Sequence, residues 1–368
     1  MKKQVLVTGG AGYIGSHTVR QLGEAGYDVV VFDNLSTGSP LAVLQGRLIV
    51  GDLGNLEQLQ QVFYKHQFDA VLHFAASISV PDSISNPLQY YSNNTRNTLN
   101  LLSCCQAFGV QKFVFSSTAA VYGEPQENPV REQSPTSPIN PYGCSKLMSE
   151  RIIQDYSSAS GLKHIILRYF NVAGADLSGR LGQSSGKATH LIKVACDAAL
   201  GIRESVGIFG TDFPTPDGTG IRDFIHVEDL ARAHIDALRY LEQGGESQIL
   251  NCGYGRGYSV RQVLNRVKQL SGVDFQVFEL QRRAGDPACV VASGERIRQL
   301  LGWQPQYEDL DIMLGTALNW ESKCLEREKA ILREQDDLPD KCFNFVELLP
   351  YKQKLEDIRH ASVVSVVR

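Results

Sequence analysis

Gly9, Gly12 and Gly15 form a G-x-x-G-x-x-G string in GGAGYIG, directly after the apolar run Val5–Thr8. The first glycine permits a tight turn. The second lets backbone N–H groups approach a pyrophosphate, and the third allows close helix–strand contact. A helix starting near Tyr13 would turn its positive end toward the phosphates. A glycine triplet alone is weak evidence, since glycine-rich βα turns are common. Its context is stronger: the next apolar run ends in Asp33, about two dozen residues on, where an acid that binds a ribose 2′-hydroxyl is expected. A carboxylate there favours NAD, because it would repel a 2′-phosphate. Asp52, which ends the third run in GDL, is placed for the adenine side, and taken alone reads equally as a turn residue.

Tyr142 and Lys146 lie four residues apart in PYGCSK, on one face of a helix. A free phenol titrates near ~10 and is no base at neutral pH. A nearby ammonium and an oxidised nicotinamide ring would both favour the phenolate. Lowering the phenol by about three units takes roughly 4 kcal/mol, within reach of a partly dry cleft. Tyr/Lys pairs are frequent on ordinary surfaces, so position decides. This pair follows a run ending FSSTAAVYG, which supplies Ser116, Ser117 and Thr118 at the carboxyl edge of a strand. Thr118 could bond a substrate hydroxyl and relay its proton; as an alternative, Ser and Thr also cap helices.

Such residues need strands to end at one crevice. The runs Val5–Thr8, Asp28–Asp33, Leu48–Gly51, Ala70–Ala75, Lys112–Ser116 and His164–Phe170 are short and apolar, as strands buried on both faces are. Between them Ile14–Ala25, Leu56–His66, Asn93–Phe108 and Tyr142–Ser160 have helical length and spacing. The alternation predicts an α/β fold: a doubly wound parallel sheet of Rossmann type. After Asn171 come glycine- and proline-rich loops and helix-like stretches at Thr189–Gly201, Val227–Glu242 and Val260–Leu270. These predict a smaller C-terminal α/β substrate lobe sharing the last part of the sheet. The expected division is 1–170, 171–320 and a 321–368 extension of unassigned role, with Glu321–Gln335 helical.

The chain has 368 residues, with 36 basic and 40 acidic side chains and a net charge of −4. That balance argues against non-specific nucleic-acid binding. It leaves room for an anion held by a few local arginines. No run reaches the roughly 18 apolar residues that span a bilayer, and the lysines before Val5 precede too short a run for a signal peptide. The eight cysteines are scattered without CxxC or cysteine–histidine metal spacing, so no metal site and reduced, cytoplasmic thiols are expected.

Longer strings narrow the reading. GGAGYIGSHT, FDNLS, HFAA, YYSNN, SSTAAVYG, NPYGCSKLMSE, LRYFNVAGA, DGTGIRDFIHVEDLARAH and RRAGDP resemble the extended short-chain dehydrogenase/reductase family, and within it the UDP-glucose 4-epimerases of galactose metabolism. The resemblance runs from about Lys3 to Trp320. It implies an NAD-dependent isomerase acting at C4 of a UDP-sugar through a transient 4-keto sugar. Carried onto matching positions, Tyr142 is the proton acceptor, Lys146 binds the nicotinamide ribose and Thr118 is the hydroxyl partner. NAD contacts fall on Tyr13, Ile14, Asp33, Asn34, Asp52, Leu53, Phe74, Asn93 and Phe170, besides the glycines and Ser116. Nucleotide-sugar contacts fall on Asn171, Leu191, Phe209, Arg222, Arg283 and Asp286. The two arginines also make independent sense as forked donors to a diphosphate. The resemblance further implies a homodimer built on the helices Asn93–Phe108 and Tyr142–Ser160.

Two positions depart from the pattern. Ile78 stands where some members have lysine, so one cofactor contact is missing or replaced. Cys289 stands where some have a bulky tyrosine at the sugar pocket, which leaves room for an N-acetyl group and predicts UDP-GlcNAc and UDP-GalNAc as further substrates. Rival readings are a nucleotide-sugar 4,6-dehydratase or decarboxylase, a UDP-glucuronate 4-epimerase, and a non-catalytic NAD-binding scaffold. Dehydratases of this superfamily carry Asp-Glu after the threonine. Here Ala119 and Ala120 follow Thr118, with no acid to offer.

Overall fold

The computed structural model describes residues 2–184, 190–283 and 285–336. Its centre is a parallel sheet of β1 (Gln4–Thr8), β2 (Asp28–Asp33), β3 (Arg47–Val50), β4 (Ala70–His73), β5 (Lys112–Ser116) and β6 (Lys163–Tyr169), with a later strand on its edge. Successive strand residues face opposite ways. Val5, Val7, Val29, Val31 and Leu72 pack with Val19, Leu22, Leu230 and Leu238 on one face. Leu6, Val30, Val71, Phe113 and Phe115 pack with Leu59, Phe63, Leu101 and Ile153 on the other. Two buried faces explain why these strands read as continuous apolar runs.

The smaller lobe adds β7 (Asn171–Ala173), β8 (Ser205–Phe209), β9 (Ile221–His226), β10 (Gln248–Cys252), β11 (Gly257–Ser259), β12 (Gln276–Leu280) and β13 (Cys289–Val290). The large sheet has the order β10-β6-β5-β4-β1-β2-β3. The chain therefore reverses direction across the sheet between β1 and β4, and ligands of such sheets bind outside the strand ends at that point. Strand β9 pairs with β7, β11 and β13, while β8 pairs with β12. Asp223 on β9 accepts N–H bonds from Tyr254, Gly255 and Ala292 at 3.2, 2.9 and 3.1 Å, tying three segments together. Burial raises this carboxyl to about 6 despite those bonds.

Most helices begin within a residue or two of where the periodicity puts them, and two do not. Asn93–Phe108 is the end of a longer helical run starting at Pro87, with a π-helical turn over Tyr91–Arg96 before the helix Asn97–Phe108. Such turns re-aim side chains. Here Asn94 bonds the Ser77 backbone in both directions and donates to Ser145 Oγ at 2.9 Å. The charged helix expected from Glu321 starts at Leu310 and runs without interruption to Asp336. Leu310, Met313, Leu314 and Ala317 on its first turns are buried in the lobe core. Thr189, Cys342 and the segment ending ASVVSVVR lie outside the described residues.

Candidate functional site

A cleft of about 1140 Å³ runs along the carboxyl ends of the strands, between sheet and smaller lobe. At one end is the glycine turn. A Cβ on Gly15 would lie 2.2 Å from the Gly9 carbonyl oxygen, and one on Gly9, where φ is +73°, would lie 2.5 Å from the Ala75 nitrogen. Gly12 meets only the Gly9 oxygen, at 3.3 Å, and lines the cleft. The helix Tyr13–Glu24 starts there, and its first N–H groups have no intrahelical acceptors. The Asp33 carboxylate at the end of β2 accepts from Ala11 N at 2.9 Å and Leu35 N at 2.8 Å. Each oxygen keeps a lone pair for a further donor. Asn34 donates to Asp52 at 2.8 Å across the ends of β2 and β3, and Leu53 and Phe74 complete this half. A glycine-rich turn, a helix start and a carboxylate together suit a dinucleotide, so the residues present fit NAD.

Midway stand Tyr142 and Thr118. The helix Pro141–Ser160 begins sharply because the Asn140 side chain accepts Gly143 N–H at 2.9 Å and Pro141 takes the first helical position. A Cβ on Gly143 would sit 2.6 Å from the Ala120 oxygen, so glycine lets this helix close on the turn after Thr118. Burial pushes the Tyr142 phenol up, its neighbour Tyr169 adds to this, and a hydrogen bond from Thr118 opposes it. The expected phenolate is therefore not favoured by the protein alone. Its ionisation calls for a further positive charge in the cleft.

Lys146 does not line the cleft. It is 3% exposed, with its ammonium 4.2 Å from the centroid of Phe115. Burial lowers it to about 7, opposed by the charge of Glu150. Beneath it His73 bonds Thr8 Oγ1 at 2.7 Å and Thr98 Oγ1 at 3.1 Å, and is held at about 3 by burial and then by Lys146, hence neutral. Ser116 is also behind the wall. Its hydroxyl donates to Tyr169 at 3.2 Å, so it supports a cleft-lining ring rather than a ligand directly. Asn93, which donates to Ser77 Oγ at 2.9 Å, and Phe170 line the cleft.

At the other end Asn171, Leu191, Arg222, Arg283 and Asp286 line the wall. Arg222 donates to the Ile221 oxygen at 2.8 Å and forms an ion pair with Asp286. Arg283 stacks on Phe209, 3.6 Å from the ring centroid. Phe209 thus reaches the cleft through that arginine. Cys289 on β13 lies beside Ile221 in register, half-buried, with its thiol raised by burial and lowered by Arg222. Ile78 lines the rim and is 53% exposed.

The sequence reading missed Tyr90, Tyr169, Trp320 and Glu321, all of which line the cleft. Tyr169 precedes Phe170 inside LRYFNVAGA and could have been found there. Trp320 and Glu321 sit at the expected edge of the substrate lobe, where no local pattern marks them. Among the described residues no cluster of metal-ligating side chains occurs and no helix is long and apolar enough to cross a membrane.

Comparison with known proteins agrees with this geometry. The model of the "NAD dependent epimerase/dehydratase family" matches residues 5–253. A UDP-glucose 4-epimerase of Azospirillum brasilense is 54% identical over 319 residues, covering 86% of this chain and 92% of that one. The crystal structure of UDP-glucose 4-epimerase from Brucella ovis in complex with NAD is 43% identical, with a TM-score of 0.84 over 86% of this chain and 98% of that one. The UDP-Glc/GlcNAc 4-epimerase of Campylobacter jejuni is 50% identical, with a TM-score of 0.77 over 88% of this chain and 100% of that one.

Proposed function

We propose a reaction for this chain, which belongs to the NAD dependent epimerase/dehydratase family: reversible inversion at C4 of a UDP-hexose, interconverting UDP-glucose and UDP-galactose and also UDP-GlcNAc and UDP-GalNAc. The observation that carries this reading is that one cleft is lined by the glycine–acid cradle, the Tyr142–Thr118 pair and two arginines together. The relatives of known activity support it.

Asp33 and the first turn of the helix Tyr13–Glu24 would hold NAD, and Lys146, buried behind the cleft wall, would act through its positive charge on Tyr142 and not as a direct contact to the ribose. Bound there, NAD supplies the acceptor for the C4 hydride, its return to the other face, and positive charge beside Tyr142. Tyr142 takes the proton of the sugar 4-hydroxyl, with Thr118 bonded to that hydroxyl, and gives it back after the sugar has turned. Arg222 and Arg283 hold the diphosphate, so the 4-keto sugar stays tethered while it presents its second face. Asp286 pairs with Arg222 and sets that guanidinium at the cleft wall. Cys289 is not itself a lining residue, but it stands between the lining residues Pro287 and Val290, and its small side chain suits an acetamido group at C2.

A homodimer fits the exposed Leu99, Phe108 and Met148 on the adjacent helices Asn97–Phe108 and Pro141–Ser160, and the cytoplasm fits a UDP-sugar substrate. The test is incubation of the purified protein with UDP-galactose and with UDP-GalNAc, without added cofactor, followed by separation of the products. The C4 epimer of each is expected. An unchanged substrate, with NAD absent from the protein and not taken up when supplied, overturns the reading.

A further inference from the structure

Behind the cleft wall lies an ion pair that touches no ligand surface. Glu150, one helical turn beyond Lys146, is 0% exposed, and Arg168 on β6 is 4% exposed. The carboxylate accepts from Arg168 Nη2 at 2.6 Å and Nε at 3.0 Å, and from the hydroxyl of Ser117. Arg168 Nη1 donates to Tyr122 at 3.0 Å, and Tyr122 in turn donates to Asn251 at 2.7 Å. The pair therefore joins three segments. Ser117 precedes Thr118, Glu150 shares a helix with Tyr142 and Lys146, and Arg168 lies two residues before Phe170.

A fully buried ion pair is weak evidence of stability, because apolar residues of similar volume often serve as well. Its placement says more. The groups facing the Lys146 ammonium are Phe115 from β5, the neutral His73 from β4, and Glu150 on its own helix. Arg168 is turned to Glu150 and Tyr122, and Tyr142 and Tyr169 face the cleft. Glu150 is thus the group whose charge opposes the loss of the Lys146 proton, and Arg168 holds that carboxylate in place through its bonds from Nε and Nη2.

We propose that Glu150, held by Arg168, is a positioning residue that keeps Lys146 protonated one helical turn from Tyr142 and fixes the strand end carrying Thr118. This rests on the role given to Lys146 in the proposed reaction. Removing the carboxylate charge favours loss of the lysine proton, so the alkaline limb of the rate–pH profile moves to lower pH. A less charged lysine also supports the phenolate less, so the acid limb moves up. The bell narrows from both sides.

The test uses purified holoenzyme of wild type, Glu150→Gln and Glu150→Gln/Arg168→Gln. The double variant leaves no buried charge unpaired; because it removes the guanidinium along with the carboxylate, the same limbs move in the same direction by a smaller amount if the single variant does not fold. Each is assayed for UDP-galactose turnover against pH, for retained NAD, and for phenolate absorbance against pH with Tyr142→Phe as the blank. An alkaline limb shifted by about one unit is expected, a roughly tenfold lower rate on that limb. KM should stay within about threefold, NAD should be retained, and the phenolate should appear at higher pH. An unmoved bell and phenolate titration, with only a lower melting temperature, would make the pair structural and overturn the proposal. If the wild type itself leaves UDP-galactose unchanged, the reaction fails, and the phenolate titration still tests Glu150. If the wild type turns over and the variants keep its bell, the role of Glu150 alone fails.

Discussion

Glu228 locks the helix Tyr13–Glu24 to the smaller lobe's helix Val227–Glu242. Its carboxylate is bonded to His17 and Arg20 and accepts from Gln21 at 2.6 Å. It is 5% exposed. Burial raises such a carboxyl, yet the bonds and charges of His17 and Arg20 hold it at about 2, against an ordinary 4.5. That depression corresponds to about 3 kcal/mol of stability. The sign follows from a lowered acid. The stabilisation is complete above pH 4.5 and is lost as pH falls toward 2. Glu228→Gln should therefore lower the melting temperature at neutral pH by about 5 °C. It should also loosen the start of the Tyr13–Glu24 helix, so that NAD is lost on gel filtration. Differential scanning calorimetry from neutral to acid pH, with NAD measured in each fraction, checks both. The variant should converge on the wild type as pH drops below 4.5. A constant difference in melting temperature across that range, or none at any pH, would refute the assignment of this energy to the Glu228 charge.

Tyr142→Phe should cut turnover by about a thousandfold, the range of a lost general base, while NAD and UDP still bind by titration calorimetry; near-normal rates would remove Tyr142 from the role. Gly15→Ala drives a methyl group to 2.2 Å from the Gly9 oxygen; overpacking of this kind costs about 1–3 kcal/mol and should appear as lost NAD at purification before it appears as unfolding. Cys289→Tyr should reduce turnover of UDP-GalNAc at least tenfold relative to UDP-galactose, since a ring in place of a thiol fills the space for an acetamido group; parallel loss on both sugars would show that Cys289 only packs. Leu99→Glu with Met148→Glu should convert a dimer to monomer in light scattering, and an unchanged mass would place any interface elsewhere.

The sequence determined what is local. Strands β2 and β5 and the helix Val227–Glu242 begin and end where their runs do, because each strand buries both faces and the helix repeats its apolar stripe. The glycine turn and Asp33 were legible for the same reason, as a strand, a turn and a helix start are set by neighbouring residues. The spacing of Tyr142 and Lys146 put them on one helix face, but only the fold decided that Tyr142 enters the cleft while Lys146 lies behind it under Phe115. Long-range pairs left no trace in the pattern. Arg222 meets Asp286 across 64 positions, and Glu228 meets Arg20 across 208. A charge shows its sign in a sequence, whereas its partner, its burial and therefore its proton affinity arise only when distant segments pack together.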